Sequence, residues 1–263
     1  MSSTQIIFNN VNKSFQTEAR EIIALKNIQL TIPKGQFVCL LGPSGCGKST
    51  LLNALAGFIS PTSGDITIDS KTITTPGPDR GMVFQEYALF PWMTVEKNVA
   101  FGLEIKGLAK SEIDNITNNL LKKLGLIDFK NRFPKDLSGG MRQRVAIARI
   151  LAIDTPVMLM DEPFGALDAL TRRTLQDELL RIWTELKKTI IFVTHSIDEA
   201  IYLADRVIVM TYRPGTIKKD IMINLPRLRD QSSKEFNDLK RDFDKLVMEE
   251  EKLHQVDELS GNC

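Results

Sequence analysis

The 263 residues carry 34 Lys and Arg against 33 Asp and Glu, a formal net charge of +1, with 43% hydrophobic and 25% charged side chains. These proportions belong to a soluble globular protein and exclude a collagenous, disordered or membrane-spanning chain: the longest apolar runs, at 37–41 and 157–160, fall far short of the ~20 residues a bilayer requires. Basic and acidic residues are mixed throughout, which leaves no electrostatic reason to expect nucleic acid as the main partner.

Met1-Ser2-Ser3-Thr4-Gln5 has no basic segment ahead of an apolar core, so the N-terminus predicts no secretory signal and a cytosolic protein. Short β-branched runs at 6–8, 22–32 and 65–73 alternate in part and predict half-buried antiparallel strands. At 37–41 the pattern becomes a continuous apolar run, as in a strand covered on both faces, and such runs recur at 81–84, 157–160, 189–193 and 207–210. Helical segments between several of them make a parallel α/β core the economical reading. Residues 94–153 interrupt it with predicted helices at 95–105, 110–124 and 141–152, broken at Gly107, Gly125 and Gly139-Gly140, and read as an inserted helical subdomain. After Pro226 a charge-rich segment, 227–258, carries Phe236, Leu239, Phe243, Leu246 and Leu253 at helical spacing, which predicts a C-terminal helix packed by one face, with 260–263 frayed. Cys39, Cys46 and Cys263 are odd in number and lack CxxC spacing, so they read as free thiols.

Gly42-Pro43-Ser44-Gly45-Cys46-Gly47-Lys48-Ser49 follows a predicted buried strand and precedes a helix beginning at Thr50, so it fits the P-loop pattern in its required context. The glycines let successive backbone N–H groups curl around phosphates, Lys48 reaches the terminal ones, and Ser49 offers a hydroxyl to Mg²⁺. A chance match in a chain of this length is on the order of one per cent at ordinary glycine usage. Asp161-Glu162 ends another predicted buried strand, where ligands of open α/β sheets bind. Asp161 suits the metal shell, and Glu162 suits a general base for an attacking water. Leu137-Ser138-Gly139-Gly140-Met141 opens a helix and makes a second anion site at its N-terminus. One nucleotide does not need two helix N-termini of one subunit, so the simplest use for Ser138, Gly139 and Gly140 is the nucleotide of another copy. Taken alone, a Ser-capped helix with no ligand is the simpler reading.

These residues closely resemble the ABC ATPase family, whose signature LSGGQ stands here as LSGGM, and the resemblance covers nearly the whole chain. It implies an α/β fold, a P-loop NTPase core with an antiparallel β subdomain and an inserted α-helical subdomain. The expected division is an ATPase domain at 1–230, its helical subdomain at about 90–155, and a C-terminal helical extension at 231–263. It further implies that adenine stacks on Phe15 and that Gln85 touches Mg²⁺ and water while sensing a membrane subunit. Gly165-Ala-Leu-Asp168 would form the loop that crosses between subunits, and His195 would contact the γ-phosphate. The expected catalytic set is thus Glu162, His195, Lys48 and Gln85. The nucleotide-binding set is Phe15, Gly42, Pro43, Ser44, Gly45, Cys46, Gly47, Lys48, Ser49, Thr50, Gln85, Ser138, Gly139 and Gly140; Ser49, Gln85 and Asp161 would hold the metal. Met141 in place of the signature glutamine removes any hydrogen bond of that side chain, and Gly165, where many relatives have serine, loosens the crossing loop. The implied cofactors are ATP and Mg²⁺. The implied partners are a second ATPase subunit forming a homodimer, membrane permease subunits and, indirectly, a solute-binding protein, at the cytoplasmic face of the bacterial inner membrane.

Four pieces are narrower than the family: Gly77-Pro-Asp-Arg80-Gly81, Phe90-Pro-Trp92, Tyr212-Arg-Pro-Gly215 and Leu225-Pro-Arg-Leu-Arg229. Together they resemble the importer branch serving taurine, aliphatic sulfonates, nitrate and bicarbonate. Phe90 and Trp92 are expected either to line a socket for a permease helix or to pack within the helical subdomain. The rival function is an ABC ATPase acting on nucleic acid or ribosomes, but such relatives carry a long coiled-coil insertion or a second ATPase domain, and neither is present here.

Overall fold

The computed structural model describes residues 4–17 and 20–259. The chain forms two compact units, one from Met1–Gly77 together with Lys187–Cys263, the other from the uninterrupted stretch Pro78–Leu186.

The first unit opens with a long antiparallel hairpin, β1 (Thr4–Gln16) and β2 (Glu21–Pro33). The polar pair Asn9-Asn10 hides the true length of β1 from the sequence. The strand passes through it on a bulge, with a register shift between Phe8 and Val11 and Asn10 at φ 47°, and continues to carry Phe15. After β3 (Phe37–Leu41) and α1 (Lys48–Ala56) come β4 (Ser63–Ile68) and β5 (Lys71–Thr72), giving a sheet ordered β2-β1-β4-β5.

The second unit runs β6 (Arg80–Val83), α2 (Val95–Ile105), α3 (Lys110–Lys123), 3₁₀ turns at Ile127–Phe129 and Pro134–Asp136, α4 (Gly139–Ala152), β7 (Val157–Asp161) and α5 (Ala169–Leu186). Thr94 caps α2 by accepting the Lys97 amide at 3.3 Å, and Ser138 caps α4 by accepting the Met141 amide at 3.3 Å. β6 and β7 pair in parallel, and Gly81 in β6 leaves space for Ile150 of α4, whose Cγ2 would lie 2.5 Å from an added Cβ.

The chain then returns to the first unit with β8 (Thr189–Thr194), α6 (Ile197–Leu203), β9 (Arg206–Met210), β10 (Ile217–Met222) and α7 (Lys234–Leu259). β3 lies between β8 and β9, parallel to both, with Cys39 level with Phe192 and Val207. All five β3 residues are buried, as expected of a strand covered on both faces. Sequence patterning did not reveal β10, whose Ile-Lys-Lys-Asp-Ile-Met gives little period-two signal.

The C-terminal helix starts at Lys234, later than its charge pattern implied, because Ser233 Oγ accepts the Phe236 amide at 3.2 Å and sets the first turn. Its buried face consists of Phe236, Phe243, Val247 and Glu250, whereas Leu253 is exposed. Cys39 and Cys46 are buried free thiols, and burial raises the pKa of both. Cys263 and the predicted frayed end lie outside the described residues.

Candidate functional site

In the first unit, Leu41 is level with Thr194 on one side and Val209 on the other. The C-terminal ends of three parallel strands therefore deliver residues 42–49, His195 and residues 211–215 to one edge of the sheet, the edge where open α/β sheets take ligands. The 42–49 loop owes its curl to Gly45 and Gly47, at φ 74° and 98°, a region that side-chain-bearing residues rarely adopt. Gly47 caps α1 without a side-chain acceptor, so main-chain N–H groups open that helix. Lys48 is only 5% exposed, and its ammonium donates to the carbonyls of Gly42 and Pro43 at 2.7 and 2.8 Å. No carboxylate pairs with it among the described residues. A buried cation held by carbonyls and a thiol, with no ion pair, suits an anion. Ser44, Gly45 and Ser49 are exposed around it, while Cys46 is buried with its Sγ 3.7 Å from Lys48 Nζ.

His195 is exposed just beyond β8. Its position is fixed by the following turn: Thr194 Oγ1 donates to Glu199 at 2.6 Å and accepts the Ser196 amide at 3.0 Å, and Ser196 caps α6. Phe15, near the end of β1, is 40% exposed, with Lys13 Nζ 5.0 Å from its ring centre.

In the second unit, Val83 is level with Met160, so Gln85 and the pair Asp161-Glu162 emerge at the same end of adjacent strands. Glu162 sits at φ 41°, a left-handed conformation that costs a non-glycine residue about 1–3 kcal/mol. The following loop supports it. Gly165 N donates to Glu162 O at 3.1 Å, Phe164 is buried, and the Arg172 guanidinium donates to the carbonyls of Phe164 and Leu167 at 3.2 and 2.8 Å. A Cβ on Gly165 would lie 3.8 Å from Glu162 Oε2 and 3.9 Å from Gln85 Nε2, so carboxylate and amide border one spot. Asp168 accepts the Thr171 amide at 3.0 Å, and that hydrogen bond holds its carboxyl below the usual range.

Ser138 and Gly139 lie at the outer end of α4, with Gly140 buried behind them. Ser138 Oγ spends a lone pair on the Met141 amide, which leaves its hydroxyl proton available to an outside acceptor. A Cβ on Gly139 would lie 3.3 Å from the Tyr87 hydroxyl, so the segment after Gln85 reaches the signature turn.

Residues 25–165 match the family model described as ABC transporter. The chain belongs to the ABC transporter family. It is 50% identical to a nitrate import ATP-binding protein of Synechocystis over 82% of each chain. It is also 50% identical to a taurine import ATP-binding protein of Roseobacter denitrificans, over 82% of this chain and 81% of that one. Among solved structures it resembles a dimeric ATP-binding cassette in a post-hydrolysis state bound to ADP and Pi, with a TM-score of 0.75 and 34% identity, covering 84% of this chain and all of the other.

The fold is therefore the α/β fold of ABC ATPases. The resemblance to importers of nitrate, taurine and sulfonate read from the four short motifs holds, since ATP-binding proteins with those names match most of the chain. Some residues that shape this ABC site carry no motif signal. Tyr87 and Ala88, at φ 62° and 46°, bend the segment after Gln85, and Arg149 of α4 holds the bend by donating to both carbonyls, at 3.3 and 2.7 Å. Asn98 of α2 is fully buried. Its Oδ1 accepts the Phe90 amide at 2.9 Å, and its Nδ2 donates to the carbonyls of Phe90, Met93 and Thr94 at 3.0–3.1 Å. Phe90 is half-buried, its ring 4.6 Å from that of Phe101 and 5.7 Å from that of Trp92, and Trp92 itself is 71% exposed.

Proposed function

We propose that the protein is the ATP-hydrolysing subunit of an importer for a small anion of the nitrate, taurine, sulfonate or bicarbonate class, working with a second copy and membrane permease subunits. The observation that carries the catalytic part is the approach of the Gln85 amide and the Glu162 carboxylate to one spot beside Gly165, with Glu162 held in a strained backbone conformation. Glu162 would accept the proton of the attacking water, and Gln85 would orient that water. Lys48 and the N–H groups opening α1 would bind the phosphates, His195 would contact the terminal one, and Phe15 would offer its exposed ring to the adenine. Ser49, Gln85 and Asp161 supply a hydroxyl, an amide carbonyl and a carboxylate, an all-oxygen set that suits Mg²⁺, which would neutralise charge on the phosphates.

Ser138, Gly139 and Gly140 would serve the nucleotide of the second copy, which makes ATP the link between the two. Among the described residues no helix is long and apolar enough to cross a membrane. Attachment at the cytoplasmic face of the membrane would rest on the permease, which Trp92, displayed on a loop clamped by Asn98, would meet. The import names of relatives at 50% identity support this reading over one in which the ATPase acts on nucleic acid or ribosomes.

The test is Glu162→Gln, which keeps the shape and one acceptor oxygen of the side chain but removes the base. The variant should bind ATP and form an ATP-dependent dimer by light scattering, with turnover reduced about 10²–10⁴-fold. Multiple turnover near the wild-type rate would sink the assignment of Glu162.

A further inference from the structure

Of the four narrow motifs, Tyr212-Arg-Pro-Gly215 has no part in the chemistry above, yet it lies against the phosphate-binding loop. A Cβ on Gly45 would meet Arg213 Nη2 at 3.5 Å and Tyr212 Cε2 at 3.9 Å. A Cβ on Gly42 would meet the Met210 carbonyl at 3.1 Å, and one on Gly215 would run into the Cys46 carbonyl oxygen. The contact is bolted from a third side. Gly215 N donates to Ala24 O at 3.0 Å and Gly215 O accepts the Lys26 amide at 2.9 Å, while Ala24 O also stands 2.9 Å from where a Gly47 Cβ would be. Gly45 thus leans on the turn between β9 and β10, Gly42 on the last residue of β9, and Gly47 on Ala24 of β2, to which Gly215 of that turn is bonded.

This turn is held in its own place by the C-terminal helix. Glu250 of α7 is 6% exposed; its Oε2 accepts the Tyr212 amide at 2.8 Å and its Oε1 accepts Lys218 Nζ at 2.7 Å. Lys218 also donates to Glu249 at 2.6 Å and to Leu246 O at 3.1 Å. Burial works against its ammonium, but the bonds and charges of Glu249 and Glu250 outweigh that and raise its pKa. His254, one turn further, sets its ring edge-on to Tyr212 with centres 4.9 Å apart. Burying a carboxylate is costly unless its partners are specific. Here one partner is a main-chain amide three residues from the glycine that packs on Cys46, whereas the helix already has Phe236, Phe243 and Val247 to hold it down.

We propose that Glu250 is a positioning residue for the phosphate-binding loop, acting through residues 212–215, so that the C-terminal helix sets the affinity for ATP. The inference rests on the reading of residues 42–49 as the phosphate cradle. Removing the acceptor lets the turn relax, and with it Gly45 and Cys46, which pack against Tyr212, Arg213 and Gly215. The cradle holds ground state and transition state alike, so the effect falls on binding rather than on the chemical step.

The test compares full-length wild type, Glu250→Ala and Glu250→Gln for binding of a fluorescent ATP analogue and for steady-state ATPase. Glu250→Ala should weaken binding and raise KM about tenfold, with kcat within about threefold. Glu250→Gln should restore both, because its amide oxygen can take the Tyr212 N–H while Glu249 keeps Lys218. A helix that merely adds stability would lower the melting temperature of the Ala variant and leave its affinity alone, and that result overturns the proposal. So does a Gln variant as impaired as Ala. Hydrogen exchange on the wild type needs no variant: ATP should slow exchange at Tyr212 and Gly215, and unchanged rates there count against the coupling. Wild-type protein that binds no ATP removes the cradle reading and this inference with it, whereas normal binding with indifferent variants removes only the inference.

Discussion

At the scale of single residues, the strained Glu162 backbone is held by groups that do no chemistry. Arg172 anchors the carbonyls of Phe164 and Leu167, and without it the loop from 162 to 168 can relax toward an unstrained φ and carry the carboxylate away from Gln85. Arg172→Ala should therefore lower kcat at least tenfold with KM nearly unchanged, and cost about 1–3 kcal/mol by denaturant unfolding. A loss seen only in KM would assign Arg172 elsewhere. The sequence makes Glu162 visible because it follows a buried strand beside an aspartate, and makes Lys48 and Ser49 visible because a phosphate loop is contiguous. Arg172, Arg149, Asn98 and Glu250 are invisible there. Each acts by hydrogen bonds to main-chain groups, which any residue can offer, and Glu250 reaches its amide across 38 positions. Such partners have no spacing rule.

Elements were legible where their signals were strong. α2 occupies the predicted 95–105 because Thr94 caps it and Gly107 follows its end, and β3 occupies 37–41 because an apolar run of that length, stopped at once by Gly42-Pro43, suits a doubly covered strand. Signals failed where polar residues carried structural duties, as in the bulge at Asn9-Asn10, the weakly patterned β10 and the capped start of α7. The loop between β6 and α2 shows how an element can shape a surface: Asn98 spends both amide hydrogens and one oxygen lone pair on residues 90–94, and so fixes where Trp92 stands. Asn98→Ala should cost about 2–3 kcal/mol, since one accepted bond and two amide hydrogens shared among three carbonyls are lost, at roughly 1 kcal/mol per bond. A melting temperature unchanged from wild type would show that the loop holds itself. Asn98→Asp keeps the acceptor for Phe90 N but sets a carboxylate against three carbonyls, and should be no better than alanine.

For the molecule as a whole, the proposed attachment to a permease would, with a near-neutral chain and an exposed Trp92, rest on a local apolar contact rather than on a long-range field. Trp92→Ala should therefore leave melting temperature and ATP binding unchanged while abolishing co-purification with the permease subunits, and raised salt should not reproduce that loss. Retention of the permease by this variant would move the contact elsewhere. The placement of β3 between β8 and β9 also bears on how the chain is made. The strand that leads into the phosphate loop leaves the ribosome early, but both of its neighbours are encoded after the whole of the second unit. At ~5–20 residues per second, β3 waits on the order of ten seconds with two unpaired apolar edges. The nascent protein is thus exposed to aggregation at the segment its later activity depends on, and chains stalled before Thr189 should be found bound to chaperones rather than to nucleotide.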